Sequence, residues 1–527
     1  MTIQGELNNR KLTLQLSGHI DSSNAAEIEE KIQELAGNAR VSVLIDAKDL
    51  DYISSAGLRI LLRLRKRNED IHIINVKPEV YETFDMTGFT QMMTIDKAYR
   101  TVSIDGCEVI GQGANGTIYR IDQDNVVKVY NNADALEEIQ NEREVARLAL
   151  ILGIPTAISY DVVRVGDSYG SVFELLNARS FSKILATQPE RMDWCVDEYV
   201  KMLNKIHSTV VPEGDLPDMT ETALKWADFM KDYLPQESWQ KLVSLIQAVP
   251  HDDHMIHGDY HTKNLELTND EVILIDMDTL AVGHPVFELA SMYNAFLGFS
   301  EYDHEGVKDF LGFDREISAE FWNKVLVKYL RTVDQDVIRE IEDKARIIGY
   351  TRLIRRSIRR QGLESEKGRA EIELWTKELL ELLDKTDSLL FDRNEIFIEA
   401  DVNNLPEVLA FAEYRLKELG CPTKTLMKIS IAVEELFTNV AHYAYKPDTG
   451  NVRIRIEKET ETNSARITFE DRGIPYNPLE KEDPDVSLSA EERAIGGLGI
   501  FMVKQSMDNM AYEYKDGKNI LNLWKKL

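Results

Sequence analysis

The run MIHGDYHTKNLEL, Met255–Leu267, followed by VILIDMD, Val272–Asp278, decides how the middle of this chain is read. Two short apolar stretches enclose a loop crowded with polar side chains. Within it Asp259 stands five residues before Asn264, and Asp276 closes the second apolar stretch. One carboxylate can orient an attacking hydroxyl, while an amide and a second carboxylate can hold a divalent cation. Phosphoryl transfer needs this set of side chains. Asx residues also serve as plain turn and cap residues, so the reading depends on what surrounds them.

The surroundings continue the pattern in order. Upstream, GQGANGTIYR places Gly111, Gly113 and Gly116 in a glycine-rich hairpin, where backbone N–H groups can approach phosphates with no Cβ in the way. VVKVY then offers Lys128 on a strand, and the charged helix EEIQNEREVARLA offers Glu142 and Glu144 to pair it; spacing favours Glu144. With the downstream GHPVFELA, these motifs resemble the kinase fold in its aminoglycoside phosphotransferase and choline kinase branch. There H-G-D-x-H-x-x-N and I-D replace H-R-D and D-F-G. The resemblance implies a bilobal domain that binds ATP through Gly111, Gly113, Gly116 and Lys128. Lys128, Glu144 and Asp259 would be catalytic, and Asn264 and Asp276 would hold Mg2+. His261 matches the branch's second histidine, and Asp278 is either a further ligand or an acidic neighbour. No key residue is missing, which argues against a dead kinase. The branch phosphorylates both small alcohols and proteins, so the acceptor stays open.

Further on, TLMKISIAVEELFTNVAHYAY, Thr425–Tyr445, reads as one long helix with a core stripe at Leu426, Ile429, Val433, Leu436 and Val440. Glu435, Asn439 and His442 fall on another face. A strand ends in DRGIP, bringing Asp471 and Gly473, and IGGLGIFMVKQ opens a helix on Gly496, Gly497 and Gly499, whose amides favour phosphate. These three motifs resemble the GHKL ATPases, most closely the anti-sigma factor serine kinases, over Glu395–Leu527. The resemblance implies an α/β sandwich binding ATP through Asn439, Asp471, Gly473, Gly497 and Gly499. Asn439 would also hold Mg2+, and Glu435 would act as general base. The acidic stretch Asn477–Ala494 departs from the family's lid. No histidine-phosphoacceptor hairpin precedes the domain, which disfavours a sensor histidine kinase.

Near the N-terminus, alternating strands and helices form a small α/β unit: Leu12, Leu14 and Leu16, then Ala25, Ile28, Ile32 and Leu35, then the strands from Val41 and Ile71. Its segment LDYISSAGLRILL, Leu50–Leu62, resembles the STAS domain of anti-sigma factor antagonists. That family is phosphorylated on a serine at the start of this helix, which alignment places at Ser55, with Ser54 where aspartate is common. The plain alternative is that Ser54 or Ser55 is only an N-cap.

Composition sets the bounds. A chain of 527 residues is too long for one core. The expected architecture is multidomain α/β and α+β: 1–103 STAS-like, 104–385 kinase-like and 394–527 GHKL-type. The net charge of −29 argues against nucleic acid or an anionic membrane as partner. No stretch nears the roughly eighteen apolar residues of a membrane span. Three scattered cysteines and an N-terminus without an export-type apolar region fit the cytoplasm. Against this acidity stands one basic run, RLIRRSIRR at Arg352–Arg360, read as an amphipathic helix whose functional reading is a docking face for an acidic partner. The assembly points to a bacterial partner-switching module. In it a kinase domain phosphorylates Ser55, in cis or in a homodimer, and acts on anti-sigma and sigma-factor regulators. A small-alcohol phosphotransferase with regulatory domains and a nucleotide-binding scaffold are the alternatives.

Overall fold

The computed structural model describes residues 2–8, 10–37, 40–68, 70–113, 116–132, 135–269, 271–391, 393–480 and 498–527. It divides into two compact units, one of Met1–Glu144 with Ala157–Leu176, the other of Val145–Thr156 with Asn177–Leu527.

The first unit carries two sheets. β1 (Thr2–Asn8), β2 (Lys11–Ile20), β3 (Ser42–Ile53), β4 (Ile71–Val76) and β5 (Thr94–Lys97) lie side by side in chain order, with β1 antiparallel to β2 and the rest parallel. Parallel neighbours need crossovers, here α1 (Ala25–Ala36), α2 (Ser55–Arg67) and α3 (Pro78–Met86). Leu12, Leu14 and Leu16 alternate into the core with Ile28 and Ile32 of α1 and Leu61 of α2. The second sheet has the order β6 (Arg100–Thr101), β10 (Asp161–Val165), β11 (Ser168–Glu174), β9 (Asn125–Tyr130), β8 (Gly116–Arg120), β7 (Glu108–Gln112). Helix α4 (Leu136–Ile151) leads out of β9.

The second unit is mostly helical at first. The elements are β12 (Ala178–Ser180), α5 (Phe181–Thr187), α6 (Met192–His207), α7 (Met219–Phe229), α8 (Gln236–Gln247), β13 (Met255–Ile256), β14 (Leu265–Thr268), β15 (Glu271–Leu274), β16 (Ala281–Val282), α9 (Val286–Phe296), α10 (Gly306–Leu311), α11 (Arg315–Leu330), α12 (Gln335–Arg359) and α13 (Glu366–Lys385). Every residue of α9 is buried, and it forms the centre of one large core with α6, α11 and α12. Then β17 (Glu395–Glu399), α14 (Leu405–Glu418), α15 (Thr423–Asn439), β18 (Asn451–Glu459), β19 (Ser464–Asp471), α16 (Leu498–Ser506), β20 (Asn509–Lys515) and β21 (Lys518–Lys526) form an antiparallel sheet, order β17-β18-β19-β21-β20. Phe411, Val433, Phe437 and Val503 of its helices pack on Ile454, Ile467 and Leu523 of its strands. The long helix expected to reach Tyr445 ends as α-helix at Asn439 and continues as a π-turn over Val440–Ala444.

The last sheet is locked to the helices before it. Phe397 N donates to Arg331 O at 2.8 Å, and Val333 N returns to Phe397 O at 3.2 Å. Arg393 donates to Asn204 of α6 and Tyr414 of α14. Among the described residues no helix is long and apolar enough to cross a membrane.

Candidate functional site

In the first unit, Gly111 lies next to last in β7, Gly116 opens β8, and the Gly113 N–H donates to Gly116 O at 2.9 Å, closing the hairpin. Lys128 on β9 pairs with Glu142, 2.9 and 3.1 Å to its two carboxylate oxygens, and Tyr130 donates to the same group. Glu144 is thereby corrected as the lysine's partner: two residues on, about 200° round the helix, it is exposed. Glu142, facing the sheet, is the residue that holds Lys128.

In the second unit the loop between β13 and β14 is braced from below. Gly258 sits at φ +78°, and a Cβ there would lie 2.6 Å from Thr279 O, so only glycine fits. Fully buried Glu288 on α9 accepts from the backbone N–H of His257 and of Gly258. Behind Glu288 stands buried His207, its Nε2 3.7 Å away and its Nδ1 2.6 Å from Tyr329 OH. Burial holds His257 and His207 below the usual histidine range. Ser291 and Arg352 both donate to Gly258 O. Sequence reasoning missed Glu288; the signal was there, a single carboxylate in the apolar run VFELASMYNAF.

On this base Asp259 is presented half-exposed, with His261 Nε2 at 3.4 Å and Arg352 Nη2 at 3.8 Å. Burial opposes its ionisation, but the His261 hydrogen bond and the charges of His261 and Arg352 win and hold it well below the usual carboxylate range. Asn264 donates its amide to Asp259 O at 3.0 Å, which leaves its amide oxygen for a cation. Asp276 is held at φ +63°, a left-handed conformation that non-glycine residues adopt at a cost and that clusters at functional sites. Amide oxygen and carboxylate are the hard donors magnesium prefers, so the set fits that ion.

At the C-terminal site Glu435 and Asn439 stand one turn apart on α15. A Cβ on Gly499 would fall 2.1 Å from Glu435 Oε2, so the start of α16 lies directly against that carboxylate. Asp471, at the end of β19, accepts from Gly473 N and Asn519 Nδ2, each at 2.9 Å. Burial raises its pKa despite those bonds. Asn519 was not anticipated; as the partner that fixes Asp471 it also accepts from Tyr476 N and Tyr512 OH. His442 is exposed beyond the helix end. Gly497, Gly496 and most of the acidic lid stretch lie outside the described residues.

Of the two serines at the start of α2, Ser54 is the cap, its Oγ accepting from Ala56 N at 3.2 Å, and Ser55 is the exposed first residue of the helix.

Known proteins match in three blocks. The STAS domain model matches residues 2–103. The phosphotransferase enzyme family model matches 106–321, and the histidine kinase-like ATPase domain model matches 398–525. BtrV of Bordetella bronchiseptica, named an anti-sigma factor antagonist, is 33% identical over 84 residues, 15% of this chain and 72% of that protein. The chain belongs to the anti-sigma factor antagonist family. Membership rests on one part of a composite chain. The serine-protein kinase RsbW of Bacillus thuringiensis is 29% identical over 107 residues, 20% of this chain and 66% of the kinase. A solved ADP-bound aminoglycoside phosphotransferase, APH(2'')-Ib, aligns at 15% identity and TM-score 0.38, covering 57% of this chain and 98% of that one. An antagonist-family chain that also carries phosphotransferase and ATPase matches has the parts of an ATP-dependent phosphotransferase.

Proposed function

We propose that this chain is a fused partner-switching protein of three domains, 1–103, 104–385 and 394–527. It consumes ATP to phosphorylate serine or threonine hydroxyls and thereby governs an anti-sigma or sigma-factor regulator. The observation that carries the reading is the division of labour at α2. Ser54 supplies the cap, so the exposed Ser55 hydroxyl is released from any structural duty on an antagonist-type domain. A phosphate on Ser55 would meet the amides and dipole of the helix N-terminus. The same chain carries the RsbW-like ATPase.

In the C-terminal site, Glu435 takes the proton of the Ser55 hydroxyl as its oxygen bonds to the terminal phosphorus of ATP, and ADP leaves. Asn439, Asp471, Gly473, Gly497 and Gly499 hold the nucleotide. In the middle domain Asp259 orients the acceptor hydroxyl, Lys128 and the glycine hairpin hold the phosphates, and Asn264 and Asp276 would hold Mg2+, which neutralises phosphate charge when bound. Phosphorylation proceeds within one chain or between two copies in the cytoplasm.

Phosphosite mapping after incubation with ATP and magnesium tests this. Phosphate on Ser55 should appear in wild type and in Asp259→Ala and vanish in Asn439→Ala. Loss with Asp259→Ala alone would transfer the role to the middle domain. No phosphate on Ser55 in any sample would overturn the reading.

A further inference from the structure

Four of the five arginines of RLIRRSIRR lie in the last turns of α12 and Arg360 caps its end; the fold brings their leading member, Arg352, to Asp259. Arg352 donates to Gly258 O at 2.7 Å and reaches within 3.8 Å of Asp259 Oδ1. Its neighbours rest on aromatic faces: Arg352 over Trp226 at 5.5 Å, Arg355 over Phe229 at 5.8 Å and Arg356 over Phe299 at 5.0 Å. From Phe299 the rim continues to Phe310, 5.1 Å away, whose ring meets His261 at 4.9 Å and Lys263 at 5.5 Å. The two carboxylate oxygens of Asp259 thus face Arg352 and His261, each of which is seated against an aromatic ring.

Beyond the Arg352–Asp259 contact, these cations have no close counter-charge among the described residues. Among the described residues no carboxylate stands within 4.0 Å of Arg355, Arg356, Arg359, Arg360 or Lys263. Burial and the neighbouring guanidinium groups hold Arg355 and Arg356 below the usual arginine range, as crowded like charges do. A ligand that brings negative charge relieves that crowding. The eight residue steps from Arg352 to Arg360 span roughly 12 Å at helical rise, the reach of about four extended residues.

We infer that the acceptor of the middle domain is a serine or threonine in an acidic peptide segment, whose carboxylates lie along α12 while its hydroxyl meets Asp259. This rests on the reading of that domain as a phosphotransferase. The same surface repels a polycationic alcohol such as an aminoglycoside.

The test uses the full chain carrying Asn439→Ala, which silences the C-terminal site, and three short serine peptides flanked by Asp/Glu, by neutral residues or by Lys. Phosphate transfer gives kcat and KM; fluorescence anisotropy of the acidic peptide with serine replaced by alanine gives binding alone. The acidic peptide should lead the neutral one in kcat/KM by roughly tenfold or more, through KM, and the Lys-flanked peptide and kanamycin should be the poorest acceptors. Arg355→Glu with Arg356→Glu should remove the preference and weaken acidic-peptide binding by a similar factor, while the Lys-flanked peptide gains. Equal kcat/KM for all three peptides would overturn the inference and leave the phosphotransferase reading standing. Arginine-dependent binding of the acidic peptide with no phosphate transferred would uphold the surface and sink the phosphotransferase reading. Acidic-peptide binding indifferent to the double variant would overturn the inference whatever the transfer rates.

Discussion

Glu288 shows how much one buried carboxylate can organise. It takes two N–H groups of the reactive loop and is itself faced by His207. Glu288→Ala would strand both amides and the histidine away from water, and should cost about 3–5 kcal/mol, seen as a lowered urea midpoint. Ser54→Ala should cost about 1 kcal/mol as a lost cap. Ser55→Ala should stay within about 0.5 kcal/mol and, on the proposed reading, leave that position without phosphate; equal costs for the two in urea titrations would contradict Ser54 as the cap. His284 gives a pH signature. Its ring lies edge-on to Phe391, and burial lowers its pKa to about 4 against the pull of Asp252. Folding therefore holds it neutral where the unfolded chain binds a proton, so stability falls as pH drops from about 6.5 towards 4, by at most about 3 kcal/mol. Urea midpoints at pH 7 and pH 5 should differ less in His284→Asn than in wild type.

Among the elements, those with strong local patterns were legible in the chain before any coordinates. The strand read from Ile71 is β4, that read from Val41 is β3, and Ala25, Ile28, Ile32 and Leu35 all fall within α1. That a loop joins β13 and β14 was legible because its residues are polar between two apolar stretches. What local pattern could not supply was facing. Glu142 and Glu144 differ only in which side of α4 meets β9. Arg352 reads as one charge among five until α12 is laid beside Gly258. Asn519 comes from β21, opposite Asp471 in the sheet register. The start of α16 depends on such facing as well: Gly499→Ala would drive a methyl into Glu435. Fluorescent ATP-analogue binding at the C-terminal site, measured with Asp259→Ala present throughout, should weaken about tenfold or more.

Across the second unit, the ATPase sheet and the helices that brace the Asp259 loop are continuous. Arg393 is stacked over Tyr329 at 4.6 Å, the same tyrosine that meets His207 behind the reactive loop. Arg331 lies over Tyr414 at 4.9 Å, and Asp334, the cap of α12, is 3.6 Å from Arg453 of β18. The unit should therefore melt as one calorimetric transition, and a nucleotide held only at the C-terminal site should raise the whole of it; two separable transitions would contradict this.

The stretch from Thr386 to Asn394 has the composition of a spacer, and a molecular biologist choosing where to split the gene would cut there. Leu389 is nevertheless buried in the helical core, and Lys344 grips the Leu390 carbonyl at 2.8 Å. Fragments made by that cut would each bare half of the seam in which Arg331 and Arg393 lie over Tyr414, and Phe397 bonds to Arg331. They should precipitate when expressed singly and regain solubility when produced together, so a deletion phenotype at this junction would report lost folding rather than lost signalling.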